Sequence, residues 1–169
     1  MIIESIKFVL DANVFMEASR RYYPLDFAKP FWDGLIRYAE ESTICSIDKV
    51  FDEINKGNDS LKTWANTDFK NYFTNTKNDE NILEKYSSIV NWAQEQSQYN
   101  QNAKDIFMEV SNADTWIITF ALAYNMTIVT HEVFDANIKK SIPIPNVCKE
   151  FDIEYCDSFD MLRKLNFSF

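Results

Sequence analysis

Glycine is nearly absent from this 169-residue chain, which has only Gly34 and Gly57. Neither lies in a phosphate-cradling pattern, so a P-loop and a glycine-rich dinucleotide fingerprint are excluded. Histidine is scarcer still. His131 alone gives a catalytic triad or a multi-histidine metal site little to be built from. Cys45, Cys148 and Cys156 are odd in number and form no close pair. They read as reduced, packed thiols of a cytoplasmic protein, not as a disulfide framework or a cysteine zinc site. No apolar run approaches the roughly 18 residues that a membrane-spanning helix requires. The segment Met1–Lys7 lacks the basic region and small-residue cleavage site of a signal peptide. Cations are also in deficit, with 17 Lys and Arg against 26 Asp and Glu and a net charge of −9. A nucleic-acid binder usually advertises positive charge, so this balance argues against tight non-specific binding. Nucleic acid stays open as a partner if the acids gather in one cleft and metal ions neutralise them.

What is present is a core-forming composition, 46% hydrophobic and 15% aromatic, enough for one domain over residues 1–169. Phe8-Val9-Leu10 is a short apolar run that stops at Asp11, the pattern of a buried strand in a parallel sheet. A short helix is expected after Asp11, running through Val14 to about Ser19, and a second from Asp26 to Glu41 with Pro30 early in it. Thr43–Ile47 reads as the second strand. Ser46 or Asp48 is placed to cap a third helix that carries Val50, Phe51 and Ile54 inward. Residues 59–102 read as wholly helical, an insertion or lid on the sheet. Between Ser111 and Asn125, Ala113, Trp116, Ile117, Phe120, Ala121 and Tyr124 recur at the spacing of one apolar helix face. Thr127–Thr130 reads as a strand, Pro143 and Pro145 as a loop, and Ile153–Cys156 and Ser158–Leu165 as a last strand and helix. Strand and helix alternate, which predicts an α/β fold with a central, mostly parallel sheet covered by helices on both faces.

Four acids stand at related places in this scheme. Asp11 ends the first strand, where ligands gather in open α/β sheets. Glu53 and Asp114 flank the apolar stripes of their helices, and Glu132 follows the strand ending at Thr130. Carboxylates crowded together raise one another's pKa or bind a hard cation, and oxygen ligands suit Mg²⁺ or Mn²⁺. Each acid also has a plain structural role open to it. Asp11 can cap a helix, and Ser111-Asn112-Ala113-Asp114 fits a capping box. Glu53 can be a solvated acid beside Lys49 or Lys56, and Glu132 can belong to a loop or to a helix's first turn. Arg20-Arg21-Tyr22-Tyr23 interleaves cations with aromatics, as an RNA-contacting loop does. A cation-stabilised helix end followed by packed tyrosines explains it equally. His131 reads as a loop residue beside Glu132, and Trp64, Trp92 and Trp116 read as core.

Leu10-Asp11-Ala12-Asn13-Val14-Phe15 resembles the opening motif of PIN domains, the nuclease fold of VapC-type toxins. Ser46–Ile54 is similar to that family's second motif, with Glu53 in the acidic position. Ala113-Asp114-Thr115-Trp116-Ile117-Ile118 resembles the third, and Val129-Thr130-His131-Glu132 the fourth, where Glu stands in place of the usual Asp. The matches follow the family's order from Leu10 to Glu132. Tyr22-Tyr23, Phe31-Trp32 and Ile144–Cys148 look like a bacterial subgroup, and the helical stretch between the second and third motifs is longer than in compact toxins. The resemblance implies a three-layer α/β/α fold and a metal-dependent endoribonuclease, the toxin of a toxin–antitoxin pair. Asp11, Glu53, Asp114 and Glu132 would be both its catalytic residues and its Mg²⁺ or Mn²⁺ ligands. Asn13 and Thr130 would orient the carboxylates, and Arg20 and Arg21 are candidate RNA contacts. The implied partners are an RNA substrate and a cognate antitoxin protein, with no membrane, and a homodimer is an open arrangement. The rival reading is a non-catalytic PIN-like module for protein interaction or RNA binding. A metal-dependent phosphatase fits less well, because that fold commonly wants a second Asp where Asn13 stands.

Overall fold

The computed structural model describes residues 7–169. The signal-peptide reading of Met1–Lys7 therefore falls almost wholly outside the described residues. A five-stranded sheet in the order β3-β2-β1-β4-β5 lies at the centre, and every neighbouring pair is parallel. β1 is Phe8–Leu10, β2 Ile44–Ile47, β3 Phe73–Thr74, β4 Thr127–Val129 and β5 Tyr155–Cys156. β1, β2 and most of β4 are buried, which is why they lack the apolar–polar alternation of a half-exposed strand.

The helices are α1 (Ala12–Glu17), α2 (Lys29–Glu40), α3 (Asp48–Asn55), α4 (Ser60–Thr67), α5 (Glu80–Glu95), α6 (Gln101–Met108), α7 (Ala113–Tyr124), α8 (Ile144–Phe151) and α9 (Ser158–Lys164). The chain moves outward from β1 through β2 to β3, then crosses back over β1 to β4 and β5. Right-handed crossovers running in opposite directions cover opposite faces of a sheet. The connection carrying α2 thus covers one face, and α5 and α7 before β4 cover the other. The result is a three-layer α/β/α architecture, with helices on both faces of a parallel sheet as the alternation of elements predicted. The reversal of direction leaves a crevice at the carboxyl ends of β1 and β4, the place where open α/β sheets bind ligands.

Several expectations change in detail. Residues 59–102 are not wholly helical, because they contribute β3, the edge strand beside β2. Leu61, Trp64, Phe69, Ile82 and Ile89 of this stretch are buried in the common core. Trp64 stacks on Phe69 with ring centroids 5.0 Å apart. α7 is buried on almost every side from Ala113 to Ala121, Asp114 excepted, and not along one stripe alone. Thr119 is accommodated there because its hydroxyl donates to the Thr115 carbonyl at 2.7 Å. The segment read as a loop at Pro143 and Pro145 opens α8, with Pro145 in its first turn, where a missing N–H costs nothing. Neither Ser46 nor Asp48 caps α3. Ile47 occupies the cap position, and the Ser46 hydroxyl donates to the Leu10 carbonyl at 2.7 Å.

Glycine scarcity has a visible consequence. Left-handed backbone positions fall to Ser42, Asn78, Asn125, Asp152 and Asn166, with φ between 54° and 62°. Asn and Asp tolerate this region best among residues with a Cβ. Gly34 is needed for closeness, since a Cβ there would meet the Phe167 ring at 2.6 Å. The C-terminal tail packs directly on α2 at this point.

Candidate active site

Asp11 leaves the end of the central strand and is only 1% exposed. Its N–H donates to the Val129 carbonyl at 2.9 Å, which ties the ends of β1 and β4 together. It occupies the position before α1, yet its side chain makes no capping hydrogen bond, so the capping explanation fails. One oxygen, Oδ2, accepts from the Thr130 hydroxyl at 3.0 Å. The other, Oδ1, is buried with no hydrogen-bond partner. Leaving a buried carboxylate oxygen unsatisfied costs about 1–3 kcal/mol or more, so the atom calls for an explanation.

Thr130 links two of the acids. Its hydroxyl donates to Asp11 and accepts from the Glu132 backbone N–H at 3.2 Å. Glu132 then reaches forward, and its Oε2 accepts from the Ile144 N–H at 3.3 Å. Ile144 is the first residue of α8, and a helix N-terminus favours an anion. The extra methylene of Glu over Asp gives the reach for this contact. Glu132 thereby has a structural role as well as a place in the crevice.

Asp114 lies in the first turn of α7. The helix is capped by Asn112, whose side chain accepts from the Asp114 N–H at 3.0 Å. The capping-box explanation thus belongs to Asn112, and the Asp114 carboxylate is left free of that duty. Asp114 and Glu132 face a small cleft of about 100 Å³, with Lys140 and Ser141 on its rim. Glu53 is half-buried on α3, and α3 packs against α7.

Electrostatics bind the four into one group. Burial, reinforced by the charge of Glu132, pushes the Asp11 carboxyl up to about 7. The Thr130 hydroxyl and the Ala12 N–H oppose this, and Glu53 adds a smaller push upward. Asp114 is raised well above the ordinary carboxylate value, first by burial and then by the charges of Asp11, Glu132 and Glu53. Glu132 is raised by burial and held back by the Ile144 N–H. Acids that feel one another this strongly share a low-dielectric crevice. Among the described residues no group of three or more His, Cys, Asp or Glu side chains is placed to hold a metal ion. The donor set and the orphaned Asp11 oxygen nevertheless fit a hard divalent cation.

The remaining expected residues divide. Thr130 contacts Asp11 as described, whereas Asn13 is exposed and has no side-chain hydrogen bond among the described residues. Its orienting role finds no contact in the structure. Arg20 and Arg21 are exposed in a π-helical turn after α1, and Arg21 pairs with Glu17 at 3.3 Å. His131 turns from the acids toward α9, its Nε2 3.1 Å from the Ser158 hydroxyl. Two residues went unrecognised in the sequence. Lys140 sits in a polar loop with no periodic signal. Asn146 was quoted only within a motif, yet its buried amide grips the loop before α8 at Asp135 N–H and C=O, 3.0 and 2.8 Å away.

Fold and crevice together define a three-layer α/β/α protein with buried acids at the carboxyl end of its central strands. The profile of the family described as "Domain of unknown function (DUF4411)" matches residues 8–169, and the chain belongs to that family. Among solved structures it resembles a chain of VapBC2 from Rickettsia felis, crystallised bound to a DNA fragment from their promoter. That likeness has a TM-score of 0.53 at 14% identity and covers 90% of this chain and 98% of the other. No curated protein matches.

Proposed function

We propose that this protein is a metal-dependent endoribonuclease that hydrolyses RNA phosphodiester bonds, acting as the toxin of a toxin–antitoxin pair. The observation that carries the reading is Asp11, a buried carboxylate with one unpartnered oxygen and three further acids around it. Mg²⁺ or Mn²⁺ held there would activate water and offset the charge developing on the phosphodiester. Asp11, Glu53, Asp114 and Glu132 would hold the ion. Thr130 fixes the rotamer of Asp11 and the backbone of Glu132, and the α8 N-terminus fixes the Glu132 carboxylate. Burial first, and then repulsion from neighbouring acids, raises the Asp11 and Asp114 carboxyls, and a bound cation would relieve both. The fold shared with VapBC2 supports the toxin assignment and an antitoxin partner, and residues 1–169 form one domain in this reading. Residues 59–102, read as an insertion or lid, would shape access to the crevice.

The test is incubation of the purified chain with total RNA and Mn²⁺. Cleavage is expected, and it should disappear with chelator and in Asp11→Asn. Cleavage that survives either treatment refutes the mechanism. The second reading, a non-catalytic interaction or RNA-binding module, draws on the net charge of −9 and on the absence, among the described residues, of any group of three or more His, Cys, Asp or Glu side chains placed to hold a metal ion. Calorimetry separates the two. A catalytic site binds Mn²⁺ and loses it in Asp114→Asn, and a remnant site shows no specific binding in either protein.

A further inference from the structure

Beside the acids lies a larger cleft of about 590 Å³, formed where β4 and β5 end and α9 passes over them. It shares Glu132 with the small cleft at Asp114, and Thr130 on its wall holds Asp11, so the two clefts are neighbours on either side of Glu132. We propose that this cleft is a subsite for a nucleotide of single-stranded RNA adjoining the scissile phosphodiester. The proposal rests on the nuclease reading above and extends it to the way the strand is held.

The volume lies within the range of small-ligand sites. Tyr155 and Phe134 on its wall are 41% and 39% exposed, and since Lys149 lies over the Phe134 ring at 4.6 Å, Tyr155 offers the more open aromatic face. Unpaired bases stack on such rings with little regard to sequence. The acids on this wall already have partners. The Asp157 carboxylate accepts from the Asp160 N–H at 2.8 Å and caps α9. Asp160 pairs with Arg163 at 3.0 Å. Lys164 lines the cleft and has no ion-pair partner among the described residues, which leaves it able to meet a phosphate.

The turn carrying Arg20 and Arg21 adjoins the same wall. Tyr22, next in sequence, packs edge-on against Phe159 of α9 at 5.1 Å and lies 5.9 Å from the His131 ring. Three segments far apart in sequence thus bring Arg20, Lys164 and exposed aromatic rings to the neighbourhood of one wall, beside Glu132, Asp157 and Asp160. A basic protein segment is the competing occupant. Glu132 and Asp157 would attract it, but Asp160 is already paired with Arg163, and a basic segment would bring a like charge onto Lys164 and leave the Tyr155 ring open.

The test measures binding of a fluorescently labelled single-stranded oligoribonucleotide to the full chain in EDTA, so that no cleavage is needed. Tyr155→Ala is expected to weaken binding about tenfold, within the range for loss of one base stack, and Tyr155→Phe to preserve it. Lys164→Gln should weaken binding and flatten the salt dependence by about 0.7 in the log–log slope, the value for one phosphate contact on a single strand. The proposal is overturned if Tyr155→Ala and Lys164→Gln bind RNA as wild type does, or if they lose only the binding of a protein partner. Tyr155→Ala that is misfolded by circular dichroism is replaced by Tyr155→Ser and Phe134→Ser, and unchanged binding by folded members of that pair overturns it equally. RNA held in this cleft with no cleavage in Mn²⁺ sinks the nuclease reading and leaves the subsite standing. Cleavage with unaltered kcat/KM in both variants does the reverse.

Discussion

Asp11 and Asp114 retain protons to unusually high pH because burial, then neighbouring negative charge, disfavours their anions. For Asp11 the folded value is about 7 against an ordinary 3.8, so the folded state holds that proton more tightly than the unfolded state. Such a group contributes stability in full below about pH 4 and loses the contribution as pH rises through about 7. Every tenfold gain in proton affinity on folding corresponds to about 1.4 kcal/mol. The metal-free protein should accordingly lose on the order of a few kcal/mol between those limits. Asp114→Asn removes one of the repelling charges while keeping the side chain's shape. In EDTA at pH 8 it should be more stable than wild type by roughly 1–3 kcal/mol, with the gain shrinking toward pH 5, and it should be catalytically dead. Thermal melts across this pH range provide the check. A variant that melts below wild type at pH 8 would show that Asp114 stabilises the fold and is not strained by its neighbours.

At the scale of elements, the β4–α8 connection decides where Glu132 stands. It is tied at both ends, by Thr130 at its start and by the Ile144 N–H at its close. It is also gripped midway by Asn146, which reaches Asp135, and Asn146 in turn donates to the Tyr99 hydroxyl at 3.1 Å. The α5–α6 connection adds a second grip, with the Gln98 amide on the Ile138 carbonyl and the Asn100 N–H on the Lys139 carbonyl at 2.9 and 2.8 Å. Asn146→Ala removes three of these bonds from a buried position. A loss of about 2 kcal/mol follows from unsatisfied polar groups, or about 4–8 °C in Tm for a chain of this size. Hydrogen exchange should accelerate at Asp135 and its neighbours while α7 keeps its protection. Unchanged Tm and exchange would mean that the loop is held by packing alone.

This connection also shows where reading the sequence stops. Asp11, Glu53, Asp114 and Glu132 were visible because each sits at an end or edge of an apolar pattern, and the positions of β1 and β4 follow from uninterrupted burial. α8 was hidden because its prolines resemble loop punctuation until the helix start is seen. β3 is two residues long and carries no periodicity. The role of Asn146 depends on contacts with Tyr99 and Asp135, which no local pattern encodes. Asn13 drew attention through its motif position, yet it faces solvent. What a motif conveys is proximity along the chain, and contact across the crevice is a separate fact.

For the molecule as a whole, the deciding question is whether the concentration of acid in one crevice is a cost carried for a cation. With a net charge of −9, any divalent ion will screen the surface and raise stability slightly, so a shift in Tm alone would be ambiguous. A specific site behaves differently. A ligand at one hundred times its Kd stabilises the folded state by about 2.7 kcal/mol, equivalent to roughly 5–10 °C for a domain of this length. Wild type should show such a saturable rise with Mn²⁺ beyond that produced by NaCl of matched ionic strength. The rise should be largest above pH 7, where Asp11 gives up its proton most readily and the uncompensated repulsion is greatest. Asp11→Asn and Asp114→Asn should retain only the salt-like component. If Mn²⁺ stabilised wild type and both variants equally, the ion would be acting on the acidic surface at large. The four carboxylates would then be structural remnants, and the interaction-module reading would take the place of the nuclease.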